Sequence, residues 1–201
     1  SPMSPLVLSQ GRLYVSFDDH ELICLDAQKG KLLWSFAGPS SNLLSSPVIN
    51  GRQLLAFWGQ SLYSLDISSG KQQWVRPIGA TVEMSSPAVY ADILYVGTRE
   101  GLLLALRARD GELVWKRDLN AGALNSSPVF DADAQTLWIA SASGILSGVN
   151  AANGELLTAF KVSEDSSLGF WRNSPALCGS RLYVGSANKS LYAIAPVSAS
   201  P

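Results

Sequence analysis

Few residues in this chain have side chains that could carry out covalent chemistry or bind a metal. The only histidine, His20, follows Asp18 and Asp19, and the two cysteines, Cys24 and Cys178, lie far apart. A metal site or a nucleophile–base pair would need further ligands or a base at fitting spacing, and none is found. We therefore expect no catalytic residues, no metal and no cofactor, with His20 serving the turn in which it lies.

Another group of residues is suited to binding. Phe170, Trp171 and Arg172 follow one another in a segment that also carries charges and glycine. Tryptophan and arginine dominate binding hot spots, so these three residues form a candidate contact patch for a partner or ligand. The alternative is that Trp171 has a packing role. Glu83 and Asn125 are candidate members of the same face because they occupy similar positions in other repeats.

Composition and charge limit the function classes. The 201 residues are 47% hydrophobic and 15% charged, with 17 glycines and 10 prolines, which is typical of a folded, turn-rich protein. The net charge of −1 gives no footprint for nucleic acid. No apolar run approaches the length of a membrane span. The compartment stays undecided, and the start without a leader-like segment favours the cytoplasm over the periplasm.

An internal repeat is the strongest signal. The dipeptide Ser-Pro recurs at residues 4–5, 46–47, 86–87, 127–128 and 174–175. In the first four repeats a short connection ends in a glycine, and these glycines are 40, 41 and 43 residues apart: Gly30, Gly70, Gly111 and Gly154. A period near 40 residues indicates propeller blades of four strands each.

The elements that position the candidate residues are therefore short strands, named A to D in each repeat. Runs such as Leu13-Tyr14-Val15 are rich in branched and aromatic residues and are bounded by turn residues. We predict an all-β fold, a β-propeller of four-stranded antiparallel blades, as one domain over residues 1–201. A β-sandwich is the alternative, but its strands would not repeat their side chains in register five times. The predicted repeats cover approximately residues 4–38, 45–79, 85–119, 126–162 and 173–196.

The residues from Leu22 to Trp34, LICLDAQKGKLLW, resemble the tryptophan-docking motif of the pyrroloquinoline-quinone-like (quinoprotein) β-propeller repeat family. The likeness extends over essentially the whole chain. It implies that Trp34, Trp74 and Trp115 pack against the backbone of neighbouring blades. Repeat four has Thr158 in the tryptophan position, which predicts a weaker contact with the next blade.

The position two residues before each Asp/Asn turn is small in every repeat. Because its equivalents are Ser64, Ala105 and Gly148, we interpret Cys24 as a small core residue. Cys178 falls at the end of a strand A, where we expect an incidental or structural role.

The fifth repeat lacks its outer strand, since the residues after Ile194 cannot supply a normal one. The array is then 19 strands with an open outer edge on the last blade, which is a site for pairing or self-association. Three possibilities stay open: the ring closes through interblade packing, it belongs to a larger ring of seven or eight blades, or a second chain completes it.

The connections from strand D to the next strand A lie on one face of a propeller, around the central channel. From each glycine to the next Ser-Pro proline is 17 residues in three repeats and 21 in the fourth. The longer connection carries Phe170, Trp171 and Arg172. This face is where we expect a protein partner, a small ligand or another domain of a longer protein to bind.

The resemblance leaves three functions to weigh. Some members of the family are quinone-dependent dehydrogenases, which hold calcium and often use a disulfide between adjacent cysteines; this chain has no such cysteine pair. Non-enzymatic members include appended docking domains and a periplasmic scaffold for outer-membrane assembly. We expect a non-catalytic scaffold, as an appended domain. The alternatives are the periplasmic assembly scaffold and a dehydrogenase fragment.

Overall fold

A computed structural model describes residues 6–17, 21–39, 45–161, 173–179, 181–186 and 189–195. Within these ranges the regular structure consists of β-strands alone. No helix in the described part of the chain is long and apolar enough to cross a membrane.

The strands group into five sheets, here called blades 1 to 5. Blade 1 contains β1 (Val7–Ser9), β2 (Arg12–Ser16), β3 (Glu21–Asp26) and β4 (Leu32–Ala37). Blade 2 contains β5 (Val48–Asn50), β6 (Gln53–Trp58), β7 (Ser61–Asp66) and β8 (Gln72–Pro77). Blade 3 contains β9 (Ala88–Tyr90), β10 (Ile93–Gly97), β11 (Leu102–Arg107) and β12 (Leu113–Asp118). Blade 4 contains β13 (Val129–Asp131), β14 (Thr136–Ala140), β15 (Ile145–Asn150) and β16 (Leu156–Lys161). Blade 5 contains β17 (Ala176–Cys178), β18 (Arg181–Gly185) and β19 (Leu191–Ile194).

Each sheet is antiparallel and follows chain order, from an inner strand A to an outer strand D. Blades 1 to 4 have four strands and the described part of blade 5 has three. The inner strands β5, β9, β13 and β17 contact one another in succession. The predicted all-β propeller is confirmed.

The four outer strands share one irregularity in register. In blade 1 Cys24 pairs with Trp34 and Leu25 pairs with Leu32, so Leu33 is an extra, bulged residue. The same shift follows Ser64, Ala105 and Gly148 in the next three blades. A bulge of this kind increases the local twist of the strand and re-aims the next side chain. That side chain is the docking tryptophan in three blades.

The hydrophobic core lies between blades rather than inside any one of them. Four clusters fill the four successive blade-to-blade contacts. The cluster between blades 1 and 2, for example, joins Tyr14 and Leu22 to Leu54 and Trp58. A sheet that is apolar on both faces needs a neighbour on each side to bury them.

The two outermost faces of the array lack such a neighbour among the described residues. Leu22 and its equivalents in blades 2 to 4 are 0% exposed, whereas Leu191 at the same position of blade 5 is 73% exposed. On blade 1, Leu8 is 68% exposed, although its equivalents in later blades are half-buried.

Candidate functional site

Three tryptophans bridge successive blades at the outer rim, at the positions that the family resemblance implied. The Trp34 indole N–H donates to the carbonyl of Ile67 in blade 2 at 3.2 Å. Trp74 donates to the carbonyl of Arg109 in blade 3 at 3.0 Å. Trp115 donates to the carbonyl of Ala151 in blade 4 at 3.0 Å. Blades 1, 2 and 3 therefore each bond to the turn between strands C and D of the blade that follows in the chain.

A glycine in that turn makes room for each ring. A Cβ added to Gly70 would lie 2.5 Å from the Trp34 ring, and one added to Gly154 would lie 2.6 Å from the Trp115 ring. At Gly111 the distance to the Trp74 ring would be 2.9 Å. These glycines also have φ values near +70°, which other residues adopt at a cost. Gly70, Gly111 and Gly154, which end the turns between strands C and D, thus each form one wall of the space that a tryptophan ring occupies. We call this space a tryptophan slot.

The residues that pair with the tryptophans across the sheet are also small because the rings need space. Cys24 pairs directly with Trp34 across the sheet, and its side chain is fully buried. Burial raises the pKa of the Cys24 thiol above its usual value. Cys24 therefore lies in the core. Cys178 is exposed.

Blade 4 has a different tryptophan beside the position of the missing one, and its buried indole N–H makes no hydrogen bond with the described residues. Trp138, on strand B, is 3% exposed and stacks on Phe160 with ring centroids 6.3 Å apart. A Cβ on Gly148 would lie 2.7 Å from the Trp138 ring and 3.0 Å from the Thr158 methyl group. The indole therefore fills part of the space that Tyr95 and Trp115 share in blade 3, where their ring centroids are 6.0 Å apart.

The serines of the four described Ser-Pro pairs link blades at the opposite, inner side. The backbone N–H of Ser46 donates to the Ser86 hydroxyl at 3.1 Å. Ser86 donates likewise to Ser127 at 2.9 Å, and Ser127 to Ser174 at 2.8 Å. Because proline fixes its own φ and restricts the residue before it to extended conformations, the pair favours one conformation at the start of strand A. The repeated Ser-Pro dipeptide is thus an interblade contact, which sequence reasoning used only as a marker.

The two fully described connections of the predicted binding face, from blade 2 to 3 and from blade 3 to 4, each contact a strand B–C hairpin at the same end of the blades. The strand B–C hairpin of blade 3 contacts the connection from blade 2, where the Arg99 N–H donates to the Thr81 carbonyl at 2.9 Å. The Thr81 N–H donates in turn to both oxygens of Glu100, at 3.1 and 3.0 Å. Partial burial opposes ionisation of Glu100, but the backbone hydrogen bonds from Thr81 and from its own N–H outweigh it and lower its pKa.

Glu83 is engaged in this network. Its carboxylate accepts from Arg99 Nη1 at 2.9 Å, and the two side chains are 25% and 66% exposed respectively. Asn125 lies in the next connection, one residue closer to the following strand A than Glu83 does in its own, and is half-buried. Phe170, Trp171 and Arg172 lie outside the described residues, as do His20, Asp18 and Asp19. Of the five residues predicted to contact a partner, only Glu83 and Asn125 therefore lie in the described part of the chain.

The described residues form no metal centre, and an open groove lies at the outer rim. No cluster of three or more His, Cys, Asp or Glu side chains occurs within these ranges. A groove of about 270 Å³ opens between blades 2 and 3 at the outer rim, lined by Arg76, Ile78, Leu106 and Gly111 among others. It adjoins the Trp74 slot and is smaller than a usual small-molecule site.

Fold and contacts together define a class: a β-propeller of quinoprotein-type repeats whose blades are tied by tryptophans at the rim and serines at the centre. Comparison with known protein families is more specific. The family described as outer membrane protein assembly factor BamB matches residues 2–199. The chain belongs to this family.

Individual relatives match part of their length. An outer membrane protein assembly factor BamB from Marinobacter adhaerens is 33% identical over 117 residues, which are 58% of this chain and 29% of that protein. A tetrathionate hydrolase from Acidithiobacillus ferrooxidans is 30% identical over 115 residues, 57% of this chain and 22% of that enzyme. The crystal structure of BamB from Moraxella catarrhalis superposes with a TM-score of 0.80 at 20% identity, covering 98% of this chain and 62% of that one. The aligned part of the chain thus covers less than a third of the length of each of these two curated relatives.

Proposed function

We propose that this chain is a non-catalytic scaffold of outer-membrane protein assembly, and that it binds a protein partner on its loop face. The observation that carries the proposal is the family match over residues 2–199, since the family is described as an outer-membrane assembly factor. The rigid array of blades supports it, because loops held on a stiff scaffold suit protein recognition.

The proposal favours the periplasm over the cytoplasm, because assembly of outer-membrane proteins takes place outside the inner membrane. It therefore revises the cytoplasmic preference drawn from the sequence, and it favours the periplasmic scaffold over an appended cytosolic domain. Its partner is a protein of the assembly process, bound beside Glu83, Arg99 and Asn125 and the longer connection that follows β16.

Site-specific photo-crosslinking tests the proposal. A photo-reactive amino acid is placed at Asn125 on the loop face, and at Asn153 on the opposite face as a matched control. The chain is exported to the periplasm of a bacterium of the Marinobacter type whose own BamB is deleted. We expect crosslinks from Asn125 to proteins of outer-membrane assembly and few from Asn153. Equal crosslinking from both positions, or crosslinks from Asn125 only to unrelated proteins, would contradict the proposed face.

Restoration of outer-membrane protein assembly in the deletion strain is a second test of the proposed function. Export of the unmodified chain should raise the amount of folded outer-membrane protein in the deletion strain, measured by heat-modifiable gel migration. No change in folded outer-membrane protein, together with no crosslink at Asn125, would remove the support for a role in assembly.

A further inference from the structure

Two asparagines in this chain are followed directly by a glycine, in the pairs Asn50-Gly51 and Asn153-Gly154. Such a pair can lose ammonia without an enzyme. The glycine nitrogen attacks the carbonyl carbon of the asparagine side chain, a cyclic succinimide forms, and the amide nitrogen leaves as ammonia. Water then opens the ring to aspartate or isoaspartate. Because glycine has no side chain to hinder the attack, both pairs are candidates in sequence.

The pair at Asn153 is held in place by the contacts around it. The Gly154 N–H, which belongs to the attacking nitrogen, donates to the Asn150 carbonyl at 2.9 Å. The Asn153 Oδ1 accepts the Glu155 N–H at 3.0 Å, which fixes the side chain. Gly154 is buried, and an added Cβ would lie 2.6 Å from the Trp115 ring. Attack at Asn153 therefore requires the strand C–D turn to open and the docked tryptophan to move.

The pair at Asn50 lies in a more open place, the hairpin between β5 and β6. Gly51 is exposed, and an added Cβ there would meet nothing within 4 Å. Within the described part of the chain, no hydrogen bond of the Gly51 N–H is found. Because β5 is only three residues long, local opening of this hairpin breaks few hydrogen bonds. The Gly51 nitrogen can therefore reach the Asn50 side chain without displacing a docked ring.

The side-chain amide of Asn50 also links two blades. Its Nδ2 donates to Oδ1 of Asp92 at 2.9 Å, and this hydrogen bond is partly buried. Asp92 lies in the hairpin between β9 and β10 of blade 3. Deamidation would replace the donor by a carboxylate. The Asp92 carboxylate would then lose its partner and face a like charge at hydrogen-bond distance.

We propose that Asn50-Gly51 is a site of spontaneous deamidation, and that the carboxylate produced there breaks the contact between blades 2 and 3. The reaction consumes one water and releases one ammonia, with no change in oxidation state. Asn153 keeps its amide as long as the chain is folded. The modification marks the age of a chain, because it accumulates with time and weakens the blade contact on the face opposite the binding loops.

Peptide mass spectrometry of the folded chain tests the difference in reactivity. The chain is kept for days at mildly alkaline pH in heavy-oxygen water, so that each new carboxylate carries the label. Asn50 should deamidate at least about tenfold faster than Asn153, because reaction at Asn153 must first break the hydrogen bonds of Gly154 and Trp115. In urea the two rates should converge. Comparable rates in the folded chain, no reaction at Asn50, or the same ratio in urea would each overturn the proposal.

Thermal unfolding measures the effect on the blade contact. Asn50→Asp carries the aspartate product and should lower Tm by about 2–8 °C, because a donor becomes a second carboxylate beside Asp92. Adding Asp92→Asn restores a donor and an acceptor, and it should recover most of the loss. Asn153→Asp is the matched control: it makes the same charge change, keeps an acceptor for the Glu155 N–H and should shift Tm by less than about 2 °C. An unchanged Tm for Asn50→Asp, or no recovery with Asp92→Asn, would overturn the proposed effect on the contact.

Discussion

Replacing Gly148 by alanine tests whether Trp138 substitutes for the missing docking tryptophan of blade 4. Gly148 does not have a left-handed φ, so an alanine there meets no backbone strain. In a strand the change from glycine to alanine is by itself favourable by about 0.5–1 kcal/mol. The added Cβ would, however, lie 2.7 Å from Cζ3 and 2.8 Å from Cη2 of Trp138.

The expected cost follows from these distances. Overpacking of a core typically costs about 1–3 kcal/mol, and Trp138 has little freedom to move because it is 3% exposed. Subtracting the gain from alanine leaves a net loss of about 0.5–2 kcal/mol for Gly148→Ala. Blade 3 has the smaller Tyr95 at the position of Trp138, and it accepts Ala105 at the position of Gly148. In a Trp138→Tyr background, Gly148→Ala should therefore become stabilising.

A double-mutant cycle by urea unfolding measures the difference. The four proteins are the unmodified chain, Gly148→Ala, Trp138→Tyr and the double variant, and the expected coupling free energy is about 1–3 kcal/mol. Ala105→Gly in blade 3 is the matched control and should cost about 0.5–1 kcal/mol. A coupling below about 0.5 kcal/mol, or a stabilising effect of Gly148→Ala beside Trp138, would refute the packing argument.

Three further predictions concern single sites. Trp34→Ala should cost about 3–5 kcal/mol in urea unfolding, and Trp34→Phe about 1–2 kcal/mol because chiefly the indole hydrogen bond is lost. A Trp34→Phe variant as stable as the unmodified chain would contradict a role for that bond. In the native protein a maleimide should label the exposed Cys178 and spare the buried Cys24, because burial raises the pKa of the Cys24 thiol. Urea should expose both cysteines to labelling. Rapid labelling of Cys24 in the native protein would contradict its core position. Hydrogen bonds from the hydroxyls of Ser68 and Ser69 lower the pKa of Asp66 to about 2. These bonds should therefore stabilise the folded state above pH ~4, and that stabilisation should be lost as pH falls toward 2. Ser68→Ala should raise that pKa in an NMR titration, and an unchanged pKa would assign the effect elsewhere.

The fold could be predicted from the sequence because the same pattern of strands and turns recurs five times. Strand periodicity, the glycine at the end of each C–D turn and the Ser-Pro pair all recur in register, and each corresponds to a contact in the structure. The role of Trp138 could not be predicted, because tryptophan in a strand B position is compatible with any buried face. Only the structure shows that its ring lies over Gly148, beside the Thr158 that stands in the docking position.

The candidate site was predicted less completely. A shared loop face follows from the antiparallel order of strands, and the contacts around Arg99 and Thr81 agree with it. The ion pair between Glu83 and Arg99 was not foreseen, because the two residues are 16 positions apart. Glu83 lies in the connection from blade 2 to blade 3, and Arg99 lies in the strand B–C hairpin of blade 3. Side-chain pairing between loops of successive blades depends on how the connections cross, which the repeat pattern does not encode. Whether Glu83, Asn125, Phe170, Trp171 and Arg172 contact a partner stays a prediction.

Equivalent positions on the loop face differ in how free they are to bind. Glu83 aligns with Leu124, since both lie four residues before the proline of the next strand A. Leu124 is 1% exposed and packs against Gly97, whereas Glu83 accepts the hydrogen bond of Arg99. Both positions are thus occupied by contacts between loops. The next residues, Met84 and Asn125, are half-buried in both connections, and Asn125 has no contact of this kind among the described residues. Partner recognition is therefore expected to depend more on Asn125 and Met84 than on Glu83, whose removal should first release Arg99.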